Sequence, residues 1–305
     1  MSMPLWGFVM AVMCAVSWAV SPLATDHGTE IGSCTSNEIN PVRSWAFLLT
    51  ALVFVLFAEH GHIPPVTDIK IQLMIGLGVV LNYILGDVFY YMAIRMLGVN
   101  IAIPIANAYP VFLVFLAAAI LDEKISLVQF AAIFTVVVGI GLLKVGGQKG
   151  AEVKTEKRWA AGLLLTILAG LSWSLCSIVT KLVLQKTAIG AAALSFYRAC
   201  WLLPLAYAVH AIMRCFCPEK TVPLSSVPLK ARIYYWISGV IGLSIGYTMY
   251  AYCVKTLPVA TVTPITATSP LIAALCAHFV MKKKLTAIQW AGVGMIIAGS
   301  VLVSI

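Results

Sequence analysis

Apolar runs long enough to cross a bilayer recur along the whole chain, separated mostly by short polar breaks. Read between those breaks, spans fall near 5–23, 39–58, 71–94, 100–121 and 126–145. A second set follows near 159–182, 189–213, 233–254, 258–281 and 286–304. A spanning helix needs ~20 apolar residues, so ten spans consume most of the 305 positions and leave no room for a soluble domain. Composition agrees: 61% of residues are hydrophobic, 10% are charged, and the mean hydropathy is +0.99. A soluble chain carries about 25% charged residues, so an ordinary cytosolic enzyme is excluded. The expected fold is an all-α polytopic membrane protein with ten transmembrane helices.

The formal charge is +9. The basic residues sit mostly between apolar runs, where they set topology and touch anionic headgroups, and no nucleic-acid partner is expected. The first run begins almost at Met1, with no basic n-region or cleavage site ahead of a soluble domain, so span 1 is expected to be retained. Cys14, Cys176, Cys200, Cys253 and Cys276 lie inside apolar runs and act as small hydrophobes. Cys215 and Cys217 lack a second pair at zinc spacing, and the Glu59, His60, His62 cluster reads as a solvated loop. Neither a metal nor a cofactor is expected.

The longest polar stretches are Thr25–Asn37, Glu59–Lys70, Gly146–Arg158 and Cys215–Arg232. The third, rich in Gly, Lys and Glu, divides the chain into residues 1–145, a linker at 146–158, and residues 159–305. The halves repeat each other. Residues 86–143 align without a gap onto 246–303, with thirteen identities in fifty-eight positions, including Gly86/Gly246, Tyr90/Tyr250, Pro104/Pro264, Pro110/Pro270 and Gln129/Gln289. Earlier in each half the offset is 155, pairing Gly7 with Gly162, Ser17-Trp18 with Ser172-Trp173, and Arg43 with Arg198. Shared apolar composition matches Leu and Val by chance, but not prolines, a Ser-Trp pair and an arginine at fixed offsets. With five spans per half, the second half enters the membrane inverted, an arrangement suited to transporters.

Loops 3, 5, 7 and 9 carry 13 Lys and Arg against 5 in loops 2, 4, 6 and 8. The positive-inside rule then puts the odd loops in the cytoplasm and both termini outside. Loop 1, acidic through Asp26, Glu30 and Glu38, fits this less well.

The spans, the repeat and the end of each half resemble the drug/metabolite transporter superfamily, in its EamA-like branch. The relevant stretches are Pro104-x5-Pro110 followed by Leu121-Asp122-Glu123-Lys124-Ile125-Ser126-x2-Gln129, and Pro264-x5-Pro270 followed by Leu285-Thr286-x2-Gln289. The resemblance implies an alternating-access carrier in a bacterial inner (plasma) membrane, with a central cavity built largely from spans 1, 3, 4, 6, 8 and 9. It favours efflux and says little about the substrate. Lys283 stands where the family usually has an acid matching Glu123, so a symmetric acid pair is not available.

Asp87 is the one acid deep inside an apolar run. Intramembrane charges face a cavity or a partner, so Asp87 is expected to bind a cationic group, carry a proton, or pair with Arg43 or a tyrosine. Helical spacing aligns Tyr83, Asp87 and Tyr90, with Asn82 and Tyr91 alongside; the second half reads Leu243, Tyr247 and Tyr250. Arg43 and Arg198 suit either carboxylate binding or snorkelling to headgroups, and their match across the repeat favours a shared packing role. Pro104, Pro110, Pro264 and Pro270 are expected to break spans 4 and 9 as hinges, exposing Asn107 and Tyr109 in one break and Thr266, Thr268 and Ser269 in the other. Trp18 and Trp173 sit mid-span and serve either as cavity walls or as packing. His278 reads as a hydrogen-bonded interior residue.

No G-x-x-x-x-G-K-[ST] loop, serine elbow or H-E-x-x-H occurs, so neither an ATP engine nor a familiar hydrolase is expected. These features point to a secondary transporter of small polar metabolites, an amino acid being one candidate, with proton coupling through Asp87 as a secondary expectation. Export of amphipathic or cationic drugs is the alternative, and a non-transporting scaffold is the alternative from another class. Expected partners are a small-molecule solute, protons and membrane lipids, in a monomer or dimer.

Overall fold

A computed structural model describes residues 5–32, 34, 36–106, 108–109, 111–112, 115–116, 126–148, 156–217, 219, 221–256, 262, 266, 268–279 and 285–302. All regular structure among them is helical. The helices are α1 (Leu5–Gly32), α2 (Ser36–Ala58), α3 (Ile69–Leu97), α4 (Val99–Ala106), α5 (Leu127–Gln148), α6 (Glu156–Lys186), α7 (Ala191–Phe216), α8 (Leu229–Thr256), α9 (Ser269–Phe279) and α10 (Ala287–Leu302). Six of them, α1, α2, α3, α6, α7 and α8, are long and apolar enough to cross a bilayer. Phe130–Leu143 and Ala287–Gly299 are shorter apolar stretches, and parts of expected spans 4 and 9 lie outside the described residues. Of the ten expected spans, six thus stand as full-length spans among the described residues.

One expected break is helix instead. The polar stretch from Thr25 stays helical to Gly32. Thr25 Oγ1 donates to Ser21 O at 3.1 Å and Thr29 Oγ1 to Thr25 O at 2.9 Å, so the hydroxyls fold back onto the helix's own carbonyls. Against α8, the Ser238 hydroxyl lies 2.8 Å from that of Ser21 and accepts from Thr25 at 2.7 Å. The break before α3 falls where expected. His60 and Gly61 turn the chain with φ of 51° and 85°, and Asp68 caps the helix by accepting the Lys70 N–H at 2.8 Å.

Two helices share an irregularity. The turn at Val80–Gly86 in α3 and the turn at Gly239–Gly246 in α8 are π-helical. At the 160-residue offset they are the same place in the two halves, ending just before Asp87 and Tyr247. Such turns often mark functional positions because they leave backbone groups free of the α-helical ladder.

The chain forms two compact units, each drawing on both halves of the sequence: Met1–Val88 with Cys176–Leu257, and Phe89–Leu175 with Pro258–Ile305. In the first, α2 packs beside α7 and α1 beside α8. Its core gathers Phe47, Ala51, Val79, Tyr83, Ala199, Leu202, Ala206 and Leu243. Three repeat-equivalent couples meet there: Phe47 with Leu202, Ala51 with Ala206, and Tyr83 with Leu243. Equivalent positions of the two halves thus contribute to one core.

In the second unit, α5 packs beside α10 and α4 beside α9. Gly139 and Gly292 permit the first contact, because a Cβ on either would lie 2.8 Å from the other's carbonyl oxygen. Close backbone approach through small residues is how helices associate in lipid, where tails are as apolar as the side chains.

Candidate functional site

The polar centre of the first unit is built on the π turn of α3. The Asp87 N–H reaches Asn82 O, five residues back, instead of Tyr83 O. The Asn40 amide of α2 donates to Tyr83 O, and Asn40 Oδ1 accepts from Arg43 Nε at 2.8 Å. Arg43 Nη2 donates to Asp87 Oδ2 in a salt bridge. Arg43 is 1% exposed and Asp87 8%. Arg43 is thus held inside the protein and does not snorkel.

Arg198, the repeat counterpart of Arg43, is 2% exposed on α7. Its counterpart of Asp87 is Tyr247, and the contact changes in kind. The guanidinium carbon lies 3.9 Å from the Tyr247 ring centroid and 5.0 Å from that of Tyr83, a pair of cation–π contacts. Nη1 and Nη2 face Cys176 Sγ at 3.5 and 3.6 Å. The Tyr247 hydroxyl is 3.0 Å from Thr180 Oγ1. Among the described residues, Arg198 has no carboxylate partner, and its Nε and the Tyr83 hydroxyl are buried without hydrogen bonds.

The aromatic residues pair across the repeat. Trp18 of the first half packs on Tyr250 of the second, with centroids 5.2 Å apart, in the first unit. Trp173 of the second half packs on Tyr90 of the first at 5.1 Å, in the second unit. The expected stripe of Tyr83, Asp87 and Tyr90 is divided accordingly: the first two belong to one unit and Tyr90, with Tyr91 beside it at 5.6 Å, to the other. Asn82 is half-buried within the π turn.

Of the proline positions, Pro104 lies buried in α4, whereas Pro270 is the second residue of α9. At a helix start the missing N–H has no partner to lose, so Pro270 begins the helix and does not break it. Pro110, Pro264 and Asn107 are outside the described residues, as are Glu123, Lys283 and linker residues 149–155. Tyr109 is buried, and its carbonyl accepts from Ser174 Oγ at 3.0 Å in the second unit. Thr266 and Ser269 are buried in the same unit, with Thr266 Oγ1 3.4 Å from Val262 O. His278 accepts the Leu285 N–H on Nδ1 at 3.2 Å and packs against Trp290, as an interior histidine should.

Sequence reasoning missed Asn40, Cys176, Thr180 and the Ser195–Thr248 hydroxyl pair at 2.7 Å. Each is a single small polar residue in an apolar run, with no spacing to mark it.

The chain is similar to known proteins. The model of the EamA-like transporter family matches residues 5–145 and 160–305. A protein of Archaeoglobus fulgidus named "Uncharacterized transporter" is 22% identical over 96% of this chain and 96% of its own. A Salmonella typhimurium protein named "Probable amino-acid metabolite efflux pump" is 22% identical over 83% of this chain and 81% of its own. A solved crystal structure superposes with a TM-score of 0.68, covering 97% of this chain and 95% of that one at 14% identity, which is a likeness of fold alone.

Proposed function

The chain belongs to the EamA-like transporter family, and on that premise we propose that it is a secondary carrier exporting small polar metabolites, amino acids foremost, by alternating access. It is an integral membrane transporter and not an enzyme. The observation that carries the finer reading is the crossed pairing of Trp18 with Tyr250 and of Tyr90 with Trp173. Paired, repeat-related walls of this kind suit a carrier whose two inverted five-helix repeats, residues 1–145 and 159–305, exchange conformations. The name of the Salmonella relative supports the substrate class and the outward direction. The ten-span count follows from the same repeat.

The candidate substrate-binding residues are Trp18, Asn82, Tyr83, Tyr90, Asn107, Tyr109, Trp173, Tyr247, Tyr250, Thr266 and Ser269, with Pro104, Pro110 and Pro264 as hinge candidates. Asp87, tied to Arg43, is the coupling candidate. Protonating it leaves a buried arginine without its counter-charge, so a proton is taken up only in a state that opens the pair, which is what coupling needs. The test is uptake and counterflow in proteoliposomes with a metabolite panel, with and without a pH gradient. Saturable movement of amino acids, driven by the gradient in the native chain and indifferent to it in Asp87→Asn, supports the reading. Stoichiometric co-purification of a partner with no solute movement overturns it.

A further inference from the structure

We propose that Arg198 receives the carboxylate of the transported solute, a deepening that rests on the transport reading above. Arginine stays charged under any protein conditions, and a buried charge is stable only when compensated. The first half compensates Arg43 with Asp87. The second half has Tyr247 at the position of that acid, so the chain omits the counter-charge that its own repeat would place there. Of the described buried acids in the first unit, Asp87 is paired with Arg43 and Glu38 accepts the Val222 N–H at 2.8 Å, and neither forms a salt bridge to Arg198.

The two edges of the guanidinium are met differently. Tyr247 and Tyr83 cover the guanidinium faces, and Cys176 Sγ, a weak acceptor, meets its end-on edge. The side-on edge of Nε and Nη2 remains, and its Nε has no hydrogen-bond partner. Carboxylates bind arginine in the guanidinium plane through two parallel bonds, so both rings stay stacked when one arrives. The Tyr83 hydroxyl, also buried without a hydrogen bond, belongs to the ring whose centroid lies 5.0 Å from the guanidinium carbon. Gly78 makes room on the far side, where a Cβ would stand 3.2 Å from Nη1. A solute without a carboxylate offers Arg198 no counter-charge. The solute class is therefore a small monocarboxylate, zwitterionic amino acids included, rather than a cationic drug.

The experiment uses the full chain in detergent and in proteoliposomes, with acetate, propionate, L-leucine and L-phenylalanine as probes against their carboxamides, and sodium chloride as the simple-anion arm. Thermal stabilisation and counterflow in the native chain should favour acids over amides by about tenfold or more, the scale of a charge-assisted hydrogen bond. Arg198→Gln should abolish that preference. Should this variant fail to fold, Tyr247→Asp serves as the second: it restores the acid inside the protein and should remove carboxylate stabilisation while the chain stays folded. Stabilisation by chloride equal to that by every carboxylate overturns the solute assignment. So does the absence of stabilisation by any carboxylate, or an acid preference that survives in a folded Tyr247→Asp chain. If acids stabilise but nothing crosses the membrane, the transport reading fails and the anion site stands. If solutes cross with acids and amides alike, the anion site fails and transport stands.

Discussion

Asp87 and Tyr247 follow the same π turn in the two halves, and each faces the arginine that its own half places in the interior. One answers with a charge and the other with a ring. The two halves thus share a π turn and a buried arginine but differ in what faces that arginine.

The Arg43–Asp87 bridge gives the first prediction. Removing one partner of a buried pair strands the other, at about 3–5 kcal/mol. Arg43→Gln and Asp87→Asn should each lower the thermal midpoint markedly, with Asp87→Asn the worse because a stranded guanidinium keeps its charge whereas a stranded carboxyl can take up a proton. The double variant should unfold above the lower of the two singles, since no charge is left unpaired. Additive losses in the thermal series would show that the bridge is not a coupled unit.

A second prediction concerns the crossed aromatic pairs. Trp18 and Trp173 are equivalent in sequence and each packs on a tyrosine from the other half. Trp18→Leu and Trp173→Leu should both raise the half-saturation concentration for transport several-fold, because aromatic pairs contribute about 0.5–1.5 kcal/mol beyond their area. Gly246→Ala should act like the Trp18 variant without replacing a candidate residue, since its Cβ would press on the Trp18 ring from 2.9 Å. Native kinetics in Gly246→Ala would separate Trp18 from the solute path.

Much of this arrangement is legible in the sequence. The offsets of 155 and 160 already match Trp18 with Trp173 and Tyr90 with Tyr250, and the core couples Phe47/Leu202 and Ala51/Ala206 lie on the same register. What cannot be read there is the crossing, because an internal repeat says which positions are alike and not which ones touch. The π turns are also hidden, because helical periodicity assumes a constant number of residues per turn and carries no mark of one extra. The helical course of Thr25–Gly32 escapes a sequence reading because polar residues in a run read as loop, whereas their hydroxyls bond to the helix behind them.

That hydroxyl cluster makes a third prediction. Ser238 Oγ is shared by Ser21 and Thr25, and its loss leaves each of them a backbone carbonyl, Ser238 O for Ser21 and Ser21 O for Thr25, both at 3.1 Å. Ser238→Ala should destabilise the fold by about 0.5–1.5 kcal/mol while leaving the acid-over-amide preference unchanged. A changed preference with native stability would place the cluster in solute recognition.

The packing of α5 on α10 supplies the last prediction, and it carries its own controls. A Cβ at Gly139 or Gly292 would sit 2.8 Å from the opposite carbonyl oxygen, and one at Gly299 would sit 2.7 Å from Ala132 O. Backbone cannot yield to such an overlap as a flexible side chain can, so Gly139→Ala and Gly292→Ala must push the helices apart and should each cost roughly 1–3 kcal/mol, as overpacking does. Gly141 and Gly294 lie on the same two helices, and a methyl added at either would meet nothing within 4 Å. Alanine there should be neutral or slightly stabilising, because it lowers the conformational entropy of the unfolded chain. Thermal unfolding of the four single variants decides the matter: equal effects at both pairs would mean that helix propensity, and not close approach, governs these glycines.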